Sequence, residues 1–213
     1  MATRGSLPST ALAALIAGAL SIAFAPILAR IAMDAHGVGS TASAFWRVSL
    51  ALPVLGLARL VVRRTGGSTP PNNAPTTLDR RWLLLPGLLF GFDLATWHLS
   101  FLYTTAANAT LFANVSVVLV GLAGWLWLGE RVDRRFWLGT CLALAGVGGM
   151  VLDGARLEQG WGGRPLGDLL ALATAGWYAC YLLSVKKIRT SFDAITTLLG
   201  VSLGSSLVLG ALM

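Results

Sequence analysis

The sequence predicts an all-α fold, a polytopic transmembrane helical bundle of about seven helices. Three observations carry this. Of 213 residues, 55% are hydrophobic and only 12% are charged, with a mean hydropathy of +0.72, whereas a soluble domain carries about 25% charged residues. Seven apolar runs of roughly twenty residues follow one another, each long enough to cross a hydrocarbon core about 30 Å thick as a helix. The runs are continuously apolar rather than alternating, which excludes barrel strands. Intrinsic disorder needs low hydrophobicity and high net charge, and a soluble globular domain would lack its polar surface here.

In chain order the expected spans are 12–33, 40–62, 82–104, 106–128, 136–152, 166–185 and 192–213. The first follows Arg4 as a secretory leader would, but its apolar run exceeds the usual length of about 7–15 residues and continues through Pro26, so it reads as a retained helix. Pro53 in the second span and Pro86 at the start of the third are, with Pro26, expected to kink their helices. Between those two spans, residues 63–81 hold Gly66-Gly67, Pro70-Pro71, Asn72-Asn73 and Pro75, and read as a polar loop with no fold of its own. Trp82, Trp125, Trp127 and Trp137 cluster near one set of helix ends, as an interfacial aromatic belt does. Cys141 and Cys180 fall inside apolar spans and read as small core residues, not as a disulfide or a metal site.

The net charge of +7 is distributed by side. Arg4, Arg63, Arg64, Arg80, Arg81, Arg131, Arg134, Arg135, Lys186, Lys187 and Arg189 fall on one side, and Arg156 and Arg164 on the other. The positive-inside rule then places the N-terminus and the 63–81 loop in the cytoplasm of a cell inner (plasma) membrane protein, and the 153–165 loop outside. The expected partners are the lipid bilayer and a small solute. Nucleic acid is not expected, because no loop is long enough to build a basic reading surface.

A charged side chain at the centre of a spanning helix costs about 2.5–3.5 kcal/mol on insertion scales, which makes it a functional candidate. Asp93 sits near the middle of the third span. At about 1.5 Å per residue, Arg47 lies about 6 Å, His98 about 7.5 Å and Asn114 about 4.5 Å from their helix centres, all toward the non-cytoplasmic side. These four groups are therefore placed to face one another across the second, third and fourth spans. The bland alternative is an Asp93–Arg47 ion pair that only joins two helices. Asp93 and His98 are about 140° apart around their helix and do not share a narrow face. Asn114 and Thr110 form an i, i+4 pair able to line a cavity or bond a neighbour. Tyr178 and Tyr181 lie near mid-depth in the sixth span, where they offer hydroxyls to a solute or simply pack. Arg30, near a helix end, is expected to snorkel to the interface. Gly87-x-x-x-Gly91 and Gly139-x-x-x-Ala143 with Gly146 are expected to let helices pack closely.

Repetition organises the chain further. Gly18-Ala-Leu-Ser-Ile-Ala-Phe-Ala25 is faintly echoed by Ala173-Thr-Ala-Gly-Trp-Tyr-Ala179, so a second unit opens near Leu166 after five helices. An odd count makes it enter the membrane inverted, as the repeats of many secondary transporters do. The run from Leu102-Tyr-Thr-Thr-Ala-Ala-Asn-Ala-Thr-Leu-Phe-Ala-Asn114 to Gly129-Glu-Arg131 closely resembles EamA-type members of the drug/metabolite transporter superfamily. Trp137-Leu-Gly-Thr-Cys-Leu-Ala-Leu-Ala-Gly-Val-Gly-Gly149, the position of Arg47, and Gly167-Asp168-Leu-Leu-Ala171 continue the likeness. The resemblance implies two five-helix repeats around a central cavity and export of small metabolites, amino-acid-like or drug-like, by alternating access. On that frame residues 12–152 form a first repeat and 166–213 an incomplete second one. The expectation is then a truncated chain, completed by the missing helices or by another copy.

Several motifs carry no chemistry here. Gly200-Val-Ser-Leu-Gly204 fits a nucleophile-elbow pattern, but the elbow needs a strand–turn–helix setting and a His/Asp partner set. An intramembrane hydrolase using Ser202, or a membrane assembly module that transports nothing, are the alternatives to a transporter. There is no P-loop, no H-E-x-x-H and no C-x-x-C. No enzyme activity, cofactor or metal is expected.

Overall fold

The computed structural model describes residues 9–65, 79–129, 133–157 and 164–213; most of the 63–81 loop and the tip of the 153–165 loop lie outside the described residues. Within them every regular element is helical. The first rod is α1 (Ser9–Ala23) and α2 (Ala25–His36), and the second is α3 (Ser40–Ser49) and α4 (Ala51–Arg64). A 3₁₀ turn (Arg80–Leu83) and α5 (Leu84–Ser100) make the third, and α6 (Ala106–Ala113) and α7 (Ser116–Leu128) the fourth. Then come α8 (Arg134–Leu157), α9 (Arg164–Ile188) and α10 (Ala194–Leu212). Among the described residues six rods are long and apolar enough to cross a membrane, namely all but α8, and α8 contains the expected fifth span. This is a polytopic helical bundle.

Local chemistry sets the boundaries. Thr105 caps α6 by accepting from the Asn108 amide at 3.2 Å, and Asp193 caps α10 by accepting from the Thr196 amide at 2.9 Å, satisfying donors that a helix start leaves open. Gly37 and Gly129 end α2 and α7 with φ of 63° and 64°, a left-handed turn that glycine adopts without a Cβ clash. The first rod breaks at Phe24, two residues before Pro26, and the second at Leu50, three before Pro53, since each proline removes a donor from the helix ladder. The fourth breaks at Asn114–Val115 without a proline, through i→i−3 bonds such as Val115 N to Phe112 O at 3.0 Å. α8 runs to Leu157, beyond Asp153 where a loop was expected, because Ala155, Arg156 and Leu157 are good helix formers once past the apolar run.

α5 is the hub, packed between α9 and α10, with α3 also against it. The pairs of touching residues fix the directions. Leu83 and Gly91 meet Gly200 and Ser205 on α10, so α5 and α10 run parallel. Phe92, Thr96 and Thr104 meet Trp177, Thr174 and Asp168, so α5 and α9 run antiparallel. Phe45, Ser49 and Arg59 meet Gly210, Ser206 and Asp193, so the second rod runs antiparallel to α10. This is the alternation that consecutive crossings require, and it brings Arg59, Arg63, Arg64, Arg80, Arg81, Lys186, Lys187 and Arg189 to one end of the bundle.

Lipid chains are as apolar as leucine, so helices associate by close packing and polar bonds rather than by the hydrophobic effect. The α5–α10 seam shows this. A Cβ added to Gly87 would stand 2.6 Å from the Val201 carbonyl oxygen and 2.8 Å from Gly204 Cα, and one on Gly204 would stand 2.8 Å from the Leu84 carbonyl oxygen. Ser205 Oγ, fully buried, donates across the seam to the Gly87 carbonyl at 2.9 Å. Gly200 and Gly204 are thus packing glycines within a helix, and the nucleophile-elbow setting is absent around Ser202. Gly139 and Gly146 differ from their expectation, with open space where a Cβ would stand, and Ala143 is exposed. A small-residue stripe does not name its neighbour, and α8 lies at the periphery, where Phe136 and Trp137 meet Gly121 and Trp125 of α7.

Candidate functional site

α5 divides its surface by helical period. Gly87, Gly91, Leu94 and His98 recur at four-, three- and four-residue spacing and form one stripe, while Asp93 and Trp97, four apart, form another. The first stripe is taken up by packing. Leu94, 3% exposed, joins Ala44, Val48 and Leu209 in a buried cluster. The second stripe carries polar atoms that have no hydrogen-bond partner among the described residues. Asp93 is 5% exposed, yet its Oδ1 and the Trp97 Nε1 are both buried without a hydrogen-bond partner. Buried polar atoms are bonded in the great majority of cases, and a lone one costs about 1–3 kcal/mol.

The surroundings of this pair come from two other helices. From α3, the Arg47 guanidinium lies over the Trp97 ring, 5.6 Å from its centroid, a cation–π arrangement. Arg47 and Asp93 interact electrostatically, but no nitrogen–oxygen approach within 4 Å joins them among the described ion pairs. The simple ion pair considered from the sequence is therefore not formed. Arg47 itself is exposed at the edge of the bundle. From α9, Tyr178 and Tyr181 lie within electrostatic reach of Asp93. Phe90 stacks on Tyr181 with centroids 4.8 Å apart, and Tyr178 is 6.4 Å from Phe90. The result is a buried carboxylate and an indole N–H flanked by three aromatic rings, with a guanidinium at the open edge.

The other sequence candidates are placed as follows. His98 is fully buried, its Nδ1 2.9 Å from the Leu94 carbonyl oxygen. A carbonyl only accepts, so the neutral ring carries its proton on Nδ1 and leaves Nε2 as a bare acceptor, and that nitrogen too has no partner. His98 sits on the packing stripe, edge-on to Trp97, and not on the face of Asp93. Asn114 does not join the group. It is exposed, and its Nδ2 donates to the Thr110 carbonyl at 2.9 Å within its own rod. Thr110 is half-buried on α6. Depth along a helix can be counted from sequence, but the direction a side chain faces depends on which neighbour it meets.

Sequence reasoning missed Trp97 as a member of the site, although its i, i+4 relation to Asp93 was a usable signal. It also missed the polar ties that hold the frame. Thr104 Oγ1 donates to Asp168 Oδ1 at 2.9 Å, and Thr96 and Thr174 hydroxyls meet at 2.9 Å. Arg30 does more than snorkel: it pairs with Asp34 at 2.8 Å and donates to the Phe101 carbonyl at 2.5 Å, capping the end of the third rod. Arg59 donates to Asp193 and to Thr196, joining α4 to the start of α10. Among the described residues no His/Cys/Asp/Glu group is arranged to hold a metal ion.

Comparison with known proteins supplies the context. The model of the EamA-like transporter family matches residues 9–152. A protein of Pectobacterium atrosepticum named as a probable 4-amino-4-deoxy-L-arabinose-phosphoundecaprenol flippase subunit is 36% identical over 66 residues, which are 31% of this chain and 58% of that protein. An uncharacterized transporter of a Sinorhizobium species is 30% identical over 130 residues, 60% of this chain and 89% of the relative. An uncharacterized transporter of Archaeoglobus fulgidus is 32% identical over 152 residues, 70% of this chain and 49% of the relative. The chain thus spans about half the length of two of these three relatives. No solved structure matches it.

Proposed function

The chain belongs to the EamA-like transporter family, and on that premise we propose that it carries the solute site of a secondary transporter that moves small metabolites by alternating access, without ATP hydrolysis. The observation that carries this reading is the unsatisfied pair on α5: Asp93 Oδ1 and Trp97 Nε1, buried within a spanning helix with no hydrogen-bond partner among the described residues. Polar atoms left open at such depth are costly, which makes them functional candidates, and Asp93 is the ionisable carboxylate among them. Arg47, Tyr178 and Tyr181 complete the site, and His98 supports it from behind.

The proposal extends to the architecture and its placement. Residues 12–152 are a first repeat, and 166–213 begin a second that enters inverted. A repeat axis in the membrane plane makes equivalent helices antiparallel, and the second rod and α10, second in their respective units, do pack antiparallel. The basic end faces the cytoplasm of the inner membrane, with the N-terminus on that side.

Reconstituted proteoliposomes test the reading by counterflow of labelled small metabolites. Asp93→Asn keeps the side-chain shape and removes its titration and charge. It should lower flux by at least roughly tenfold, the scale of one lost charge-assisted hydrogen bond, with normal insertion and unfolding. An Asp93→Asn protein with unchanged rate and pH profile removes Asp93 from the pathway.

A further inference from the structure

The geometry points to a solute bearing a protonated amine, whose ammonium binds Asp93 Oδ1 and displaces the Arg47 guanidinium from its place beside Asp93 and over Trp97. This rests on the reading of the Asp93 cluster as the solute site and names the chemistry the site takes.

Three features of the cluster lead there. When ionised, the Asp93 carboxylate only accepts hydrogen bonds, so the natural complement of its open Oδ1 is a donor that also carries positive charge. The walls beside it, Phe90, Tyr178 and Tyr181, are aromatic faces, which attract cations and exclude bare anions. A cation of this chain already occupies the vicinity. Arg47 lies 5.6 Å from the Trp97 ring centroid and within electrostatic reach of Asp93, but it does not close the ion pair, and it is exposed at the bundle edge. It is therefore a tethered cation that neutralises the empty site without filling the hydrogen-bonding place at Oδ1.

An amine completes what Arg47 leaves undone. A small ammonium reaches Oδ1 directly, and any acceptor next to it on the solute takes the unpaired Trp97 N–H. Arg47 then turns from Asp93 toward the bundle edge, and the ammonium takes over the neutralisation of the carboxylate. An anionic solute meets the opposite situation. It gains Arg47 but is set against the Asp93 carboxylate and the aromatic faces. The same ammonium chemistry is available from a free amine or from an ethanolamine lipid headgroup, and the experiment separates these two.

The test is calorimetric binding to the full purified chain in phosphatidylglycerol nanodiscs, with three probes sharing one aryl body: phenethylamine, phenylalanine and 3-phenylpropionate. Phenethylamine and phenylalanine should bind and 3-phenylpropionate should not. Asp93→Asn should weaken phenethylamine at least roughly tenfold, the scale of a charge-assisted hydrogen bond, with Asp93→Glu restoring part of the affinity. Arg47→Gln should tighten phenethylamine several-fold, because it removes the competitor. Added phosphatidylethanolamine lowers phenethylamine affinity if the headgroup is the source and leaves it unchanged if the source is a free amine; both uphold the amine. The proposal is overturned if 3-phenylpropionate binds as well as phenethylamine, if none of the three binds, or if Arg47→Gln weakens phenethylamine. Counterflow of other metabolites that still depends on Asp93 would then leave transport standing and remove only the amine; loss of both removes the site. Circular dichroism of each variant guards against misfolding, and the opposite signs expected for the Asp93 and Arg47 variants cannot arise from misfolding alone.

Discussion

The α5–α10 seam makes the sharpest mechanical prediction. A methyl group added at Gly87 would lie 2.6 Å from the Val201 carbonyl oxygen, 2.7 Å from that of Gly200 and 2.8 Å from Gly204 Cα. Carbon needs about 3.5 Å to such neighbours, and all three are backbone atoms, so no rotamer absorbs the clash. The helices must part by somewhat under 1 Å, and overpacking of this kind costs about 1–3 kcal/mol. Parting also stretches the Ser205–Gly87 bond, and interhelical bonds of this type contribute about 0.6 kcal/mol. Alanine returns up to about 1 kcal/mol of helix propensity. The net expectation for Gly87→Ala is a loss of roughly 2 kcal/mol on these scales. At Gly91 the nearest atom is Val208 Cβ at 2.7 Å, which moves only with the α10 backbone, so a loss of similar size is expected. Gly139 and Gly146 have nothing within 4 Å, and alanine there should be neutral or slightly stabilising. Titration of the purified chain from mild detergent into SDS, followed by circular dichroism, ranks the four variants. If Gly87→Ala unfolds at the same SDS fraction as Gly139→Ala, the seam is not where α5 is held.

Two further outcomes follow from the ties at the bundle ends. At Asp193, which precedes the Ala194–Leu212 span, burial raises the carboxyl pKa, but hydrogen bonds from Thr196 and Arg59 outweigh it and hold it at about 2, below the ordinary 3.8. A pKa lowered on folding stabilises fully above 3.8 and loses that contribution as pH falls toward 2, so thermal unfolding should show a drop in that window that Asp193→Asn lacks. The Ser49 and Ser206 hydroxyls are 3.0 Å apart, so a Ser49→Cys/Ser206→Cys pair should oxidise to an intramolecular disulfide on gels, and free thiols under oxidant would contradict the antiparallel contact of α3 with α10.

Much of the fold was legible because spanning helices are set by local composition. The expected spans at 12–33 and 40–62 correspond to Leu12–His36 and Ser40–Arg64, differing mainly at ends where the polarity change is gradual. Packing partners were less legible. Gly87-x-x-x-Gly91 and Gly139-x-x-x-Ala143 look alike in sequence, yet one meets a backbone and the other open space, because the difference lies in α10 and not in either stripe. The site was half legible for the same reason. Asp93 announces itself by the cost of a charge in a leucine-rich run. Trp97 does not, since an indole in such a run is ordinary until its N–H is seen to lack a partner. Asn114 shared the expected depth but turned to its own helix, which depth counting cannot detect.

The ties on α5 also bear on what Asp93 is for. The helix is held to α10 by the Gly87, Gly91 and Ser205 contacts, and to α9 by Thr96–Thr174 and Thr104–Asp168. Its far end is capped by Arg30 at the Phe101 carbonyl. None of these ties passes through Asp93 Oδ1 or Trp97 Nε1, so the position of α5 is accounted for without them. A carboxylate at that depth still carries a burden of about 2.5–3.5 kcal/mol, and among the described residues no ion pair within 4 Å offsets it. Structural glue is recognised by the close partner it holds, and among the described residues Asp93 closes no ion pair and its Oδ1 no hydrogen bond. The stiffness of the hub and the open chemistry of the proposed site therefore reside on different faces of one helix, so Asp93→Asn is expected to lower transport while leaving the fold intact.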